Sequence, residues 1–271
     1  MLRGLAEAAR VFGDDELRTL AVRNGEFLFR ELVREGRTLR SYKDGIAKIP
    51  GFLEDHAALG LAAIALYNLT FNRRWLDRAK LLGDEILARF WDDDAQAFFD
   101  TARDGEQLVT RPRDVTDNAI PSGTSLAIEL MLILGDLFAH RAYVDRATHM
   151  LETIAEPMAR YPTAFGHALG AADMAVHGAI EVAIAGSPTD ARFSALALAV
   201  ARMYAPSLVL AGGAGSAANG IELLKDRASD QPTAYVCRAY TCDAPTRDAH
   251  VLAEQLKNAS SPPSVNPFKF Q

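Results

Sequence analysis

The sequence predicts a mainly α fold: a partial αα-toroid over 1–179, then a small α/β segment over 180–257 and a loose tail over 258–271. Three observations predict it. One amphipathic helical stripe recurs along the chain, each copy follows a helix of a different kind, and beyond residue 179 the apolar residues fall in continuous runs bounded by Gly and Pro.

The recurrence is read from spacing. Leu17, Trp75 and Tyr143 are each followed four residues later by Ala21, Ala79 and Ala147, and eleven residues later by Leu28, Ile86 and Ile154. At 3.6 residues per turn such positions share one side, so each copy is a helix with a single apolar stripe, suited to an outer layer. The helices before them cover 2–12, 57–71 ("AALGLAAIALYNLTF") and 122–139 ("SGTSLAIELMLILGDLFA"). The last two are apolar or small nearly all round, which requires burial on every side and makes them inner helices. A further inner helix is expected over about 163–179.

The links "FGDDE", "NRR" and "AHRA" are short enough for antiparallel helix pairs. The return links, 38–50 and 97–112, are long, and each is read as a β-hairpin turning at Asp44-Gly45 or Asp104-Gly105. Both lead to an Ile-Pro step, Ile49-Pro50 and Ile120-Pro121. A closed ring needs more helix pairs than the chain contains. An open ring would leave apolar inner helices exposed, so a homo-oligomer, or a partner carrying the missing half, is expected.

In the α/β segment "EVAIAGSP" and "PSLVLAGG" read as strands flanking a helix over 190–204 and pairing in parallel, and "TAYVCRAY" reads as a third strand. The glycines of "LAGGAGSAANG" lack the third glycine and the acidic residue of a dinucleotide loop and read as a turn.

Length allows one large domain, or one domain with a smaller appendage, since 271 residues is near the limit of a single core. The formal net charge of -6, with a pI near 5.6, excludes the basic stripe that phosphate backbones require, so no nucleic acid is expected as a partner. The apolar runs are too short or too broken by charge to span a bilayer. Cys237 and Cys242 are the only cysteines, too few for a disulfide framework, and with no leader recognised a reducing cytoplasm is the expected location. On one continuous strand their odd separation sends the two side chains to opposite faces. With only His250 nearby they fall short of a closed zinc site, so a plain structural role is expected. No phosphate-loop lysine, H-E-x-x-H or G-x-S-x-G pattern occurs, and no metal or cofactor is expected.

The segments "SYKDGIAKIPGFLEDHA", "FWDDDAQAFFDT", "RPRDVTDNAIPSGTS", "YPTAF" and "AYVCRAYTCDAP", in that order, cover nearly all of the chain. On them the sequence resembles the C-terminal half of the thioredoxin-domain-containing protein family related to spermatogenesis-associated protein 20. The resemblance implies an (α/α)6 barrel similar to N-acylglucosamine 2-epimerases and six-hairpin glycosidases, preceded in the family by a thioredoxin-like domain and the first helix pairs. The sequence departs from the family pattern at His56, Asn118 and Thr124, where tyrosine, glycine and asparagine are usual. These departures change the donors an inherited site would offer. The resemblance also keeps a redox or metal role open for the cysteine pair.

The candidate chemistry lies where charge meets the inner helices. Asp114 and Asp117 stand just ahead of a helix entered through Pro121 and Ser122, whose free N–H groups favour anionic groups. One reading makes either aspartate an acid, a base or an acceptor for a sugar hydroxyl, with Arg111, Arg113, Asn118 and Ser122 orienting the substrate. The other makes them caps and loop staples. At the matching entrance "GFLEDHA", Glu54 and Asp55 form a carboxylate pair that can divide acid and base roles in glycoside chemistry, and His56 could move a proton beside a carbonyl as in an epimerase. Against this, Glu54 and Asp55 suit a helix first turn and His56 a cap neighbour. Phe52 and Trp91 could pack on a sugar ring or simply belong to the core. The expected function is therefore carbohydrate chemistry of the epimerase or glycosidase type on a small-molecule sugar. The alternative is a non-catalytic or redox-linked module docking onto a thioredoxin-like partner or onto itself.

Overall fold

The structure is a computed structural model that describes residues 1–106, 109–238 and 241–260. Its element order begins with α1 (Leu2–Phe12), α2 (Asp15–Glu31), β1 (Val33–Arg34), β2 (Arg37–Lys43), β3 (Ile46–Pro50), α3 (Leu53–Thr70) and α4 (Arg73–Arg89). It continues through β4 (Trp91–Asp92), β5 (Ala97–Phe98), α5 (Gly123–Phe138), α6 (Arg141–Arg160) and α7 (Gly166–His177). The last part is β6 (Ile180–Ala185), α8 (Ala191–Ala201), β7 (Leu208–Gly213), β8 (Thr233–Arg238), β9 (Thr241–Cys242) and α9 (Ala249–Ser260). The fold is mainly α.

The two kinds of helix occupy two layers. α1, α3, α5 and α7 pack side by side in chain order, while α2, α4 and α6 each lie against the helix they follow. Trp75, Ala79, Ile86, Tyr143, Ala147 and Ile154 are all buried, so the recurring stripe faces the inner layer in α4 and α6. In α2 the stripe is shallower: Ala21 is buried but Leu17 and Leu28 are only partly so. Helix starts are set by side chains that accept free N–H groups: Asp14 from Leu17, Asn72 from Arg74 and Ser122 from Ser125.

The hairpin read over 38–50 is present as β2–β3, with Asp44 and Gly45 at φ 52° and 77° in the turn. The second hairpin forms elsewhere. β4 pairs with β5 through Trp91↔Phe98 and Asp92↔Ala97, before the Asp104-Gly105 turn. Trp91 and Phe98 stack edge to face at 5.0 Å in the core, which favours this earlier pairing. Residues 107 and 108, inside the expected hairpin, lie outside the described residues.

The α/β segment is a sheet of order β7-β6-β8-β9. β6 and β7 are parallel and joined through α8, as read from the sequence, whereas β8 runs antiparallel to β6. This layer packs on the C-terminal end of α3: Tyr67 exchanges hydrogen bonds of 3.0 Å with the Gly212 carbonyl and N–H, and Phe71 stacks on Phe193 of α8 at 4.8 Å. The layer therefore closes the C-terminal end of α3, and Leu61, Ala63, Leu66, Leu130 and Leu134 are buried. α9 runs through Ser260, three residues into the stretch read as a loose tail; 261–271 lie outside the described residues.

The cysteines also depart from expectation. β8 does not continue as one strand but folds back into β9, so Cys237 and Cys242 are register partners and are joined in a disulfide. Among the described residues no helix is long and apolar enough to cross a membrane.

Candidate functional site

The starts of three inner helices meet at the end of the molecule opposite the α/β sheet. Leu53, first in α3, donates its N–H to the Asp100 carbonyl in the loop leading to α5 (2.9 Å). Gly123, first in α5, lies so close to α3 that an added Cβ would fall 3.0 Å from the Glu54 nitrogen. Asp117 joins α5 to α7, accepting N–H bonds from Ser122 (2.9 Å), His167 (2.8 Å) and Ala168 (3.2 Å). Long connectors thus converge because backbone groups at these helix starts bind one another's loops.

They enclose a cavity of about 320 Å3 lined by Phe52, Glu54, Asp100, Asp114, Asn118 and Ser122, among others. Each carboxylate is held differently. Glu54 is paired with Arg40 at 2.6 Å, and the same guanidinium lies 4.8 Å from the Phe52 ring centre. Asp114 is fixed by Thr116, whose N–H (2.9 Å) and hydroxyl (2.7 Å) both donate to its Oδ1, and its carbonyl accepts the buried Thr124 hydroxyl (3.2 Å). Asp100 accepts the Asp114 N–H at 2.9 Å. Burial, reinforced by the negative charges of Asp114 and Glu54, pushes the Asp100 carboxyl above the usual carboxylate range despite that bond.

The chain is similar to spermatogenesis-associated protein 20. The human and rat proteins of that name are each 29% identical to it over 273 residues, and the mouse protein is 27% identical. Each alignment covers 94% of this chain but 35% of the relative, so the chain spans about a third of the length of the curated relatives it matches. No family model matches the chain.

Several residues read as site candidates lie outside the cavity. Asp55 accepts the Phe52 N–H at 2.8 Å and pairs with Arg40 at 3.1 Å, stapling the first turn of α3. The His56 ring is buried against Phe90; its Nε2 accepts the Thr38 N–H at 3.2 Å, which leaves Nδ1 to donate to the Phe52 carbonyl at 2.9 Å. Burial lowers its pKa, and both nitrogens serve the hairpin-to-helix junction. Trp91 is core, its indole N–H bonded to Asp93 at 2.9 Å. Arg111 braces the preceding loop through Asp92 (3.2 Å) and the Thr101 carbonyl (2.7 Å), stacked 4.2 Å over Phe99. Arg113 is exposed and does not line the cavity. Although burial opposes it, the N–H donors at Asp117 hold that carboxyl below the usual range, which fits a capping anion.

Sequence reasoning missed Asp100, since "FFDT" carries no signal of proximity to Glu54. It also missed an ion chain reaching inward from Asp117. The His167 imidazole lies 2.8 Å from Glu129, which in turn takes two bonds from Arg3 at 2.6 and 2.9 Å. Burial opposes ionisation of Glu129, but His167 and Arg3 hold its pKa down to about 2. These residues border a second cavity of about 470 Å3 between α1, α3, α5 and α7. Among the described residues no group of three or more His, Cys, Asp and Glu is placed to hold a metal ion.

Proposed function

We propose that the cavity at the helix starts binds a polyhydroxylated, sugar-like ligand and performs acid–base chemistry on it with carboxylates. The observation that carries this reading is the convergence of Glu54, Asp100 and Asp114, from separate stretches of the chain, on one cavity that also exposes Phe52 and Asn118. Carboxylates accept hydroxyl hydrogens, Asn118 can donate and accept, and the Phe52 ring offers an apolar face. The raised pKa of Asp100 beside Glu54 and Asp114 supports a division into proton donor and proton acceptor. Of the two chemistries considered, the glycosidase type is favoured, because an epimerase type relying on His56 would need a ring nitrogen already used internally. In the same reading the two helical layers are a section of an αα-toroid, with the loops around its mouth. The redox-linked module suggested by the resemblance is not needed to account for this cavity.

The test is calorimetric titration of the chain with a panel of mono- and disaccharides, repeated for Glu54→Gln, Asp100→Asn and Asp114→Asn. Binding weakened about tenfold or more in at least two variants, with circular dichroism unchanged, is the expected outcome. No heat from any saccharide, or equal affinity in all variants, contradicts the reading.

A further inference from the structure

The Cys237–Cys242 pair lies in the α/β layer, away from the carboxylate cavity, and its surroundings differ from those of a simple staple. The bond closes a sequence separation of 5 between residues that the β8–β9 ladder already sets side by side. Cross-links restrict the unfolded chain more as the loop they close lengthens, so this one contributes at the weak end of the range. β8 itself is held by six register partners on β6, from Thr233 to Arg238, whether or not the bond exists.

The two cysteines are unequal. Cys242 is an exposed residue at the sheet edge, whereas Cys237 is only 2% exposed. Arg227 reaches the buried one, with its Nη2 donating to the Cys237 Sγ at 3.4 Å, and its guanidinium is stacked 4.9 Å over Tyr235. The other terminal nitrogen, Nη1, is buried with no hydrogen-bond partner among the described residues. Across the sheet, Cys242, Cys237 and Glu181 form one register row, so their side chains share a face. Burial raises the Glu181 pKa while Arg227 opposes the shift, and the register row sets this carboxyl beside the buried cysteine.

We propose that this bond is a thiol–disulfide exchange site, opened by attack of an external dithiol on the sulfur of the exposed residue Cys242, with Cys237 as the leaving thiolate held by Arg227. In the first step a thiolate of the dithiol forms an S–S bond to Cys242 while the Cys237–Cys242 bond breaks, and the electron pair leaves on Cys237. That sulfur then takes a proton, for which the Glu181 carboxyl is the neighbouring relay. In the second step the remaining thiol of the reductant, as thiolate, displaces Cys242. Two electrons and two protons pass to the pair, and the dithiol leaves as a disulfide. Attack rates follow access to the sulfur, and a stabilised thiolate leaves faster, so exposure of Cys242 and the cation at Cys237 direct the reaction the same way.

The test uses the oxidised full chain under native conditions. Glutathione, a monothiol, should trap a mixed disulfide that peptide mass spectrometry places on Cys242. Reduction by dithiothreitol, followed by alkylation and mass shift, should be about tenfold slower in Arg227→Gln and restored in Arg227→Lys. Circular dichroism should show the reduced chain still folded. A glutathione adduct on Cys237, an unchanged rate in Arg227→Gln, or reduction only when the chain unfolds would overturn the proposal.

Discussion

Asp136 is a partly buried carboxyl that faces Glu181 where α5 meets the sheet. Burial first, and the Glu181 charge second, push its pKa up to about 7. Its ordinary value is 3.8, so between pH 4 and 7 the folded chain retains a proton that the unfolded chain releases. Stability therefore falls as pH rises through that window and stays reduced above it. Asp136→Asn should be more stable than the parent by about 1 to 3 kcal/mol at pH 8, with the difference vanishing toward pH 4, measured by urea unfolding across pH. An equal gain at both pH values would remove the titration of Asp136 as its cause. At this scale the site was legible in part. Residue type and position singled out Phe52, Glu54, Asp114, Asn118 and Ser122, which line the cavity, because a helix start concentrates polar groups. They could not separate a capping carboxylate such as Asp117 from one facing a cavity, since that depends on which N–H groups of α7 arrive 50 residues later in the chain.

Helices α3 and α5 show how an element's position follows from its smallest residues. Gly123 allows the start of α5 to touch the α3 backbone, with Leu53 Cβ a further contact at 3.3 Å from an added Cβ. Gly123→Ala must push the two starts apart, because the Glu54 nitrogen is main chain and cannot rotate away. A loss of about 1 to 2 kcal/mol in thermal or urea unfolding is expected. A neutral or stabilising change would show that the starts are not in this contact. The helices were readable because a 3.6-residue period summed over four turns is a strong signal, and the all-round apolar character of α3 and α5 announced their burial. The β4–β5 pairing was not, because a two-residue strand has no period to read and its choice was made by Trp91 packing on Phe98. α9 was hidden for a similar reason: its apolar face is narrow, with only Leu252 and Leu256 buried.

On the scale of the whole molecule the two ends of the inner helices have different tasks. The C-terminal ends are sealed by the sheet, through Tyr67 on Gly212 and Phe71 on Phe193. The N-terminal ends are joined by loops, and there the carboxylates gather around open space. The alternation of inner and outer helices pointed to this division, since the long connectors before inner helices belong to the same end, but closure by the sheet came from a layer whose placement against α3 no local pattern encodes. The proposed ligand site lies at the loop end alone. Hydrogen exchange followed by mass spectrometry, with and without the saccharide that binds best, tests this directly. Added protection confined to segments around 50–56, 98–101 and 112–124 is the predicted result, and protection at the sheet end, or none anywhere, would contradict it.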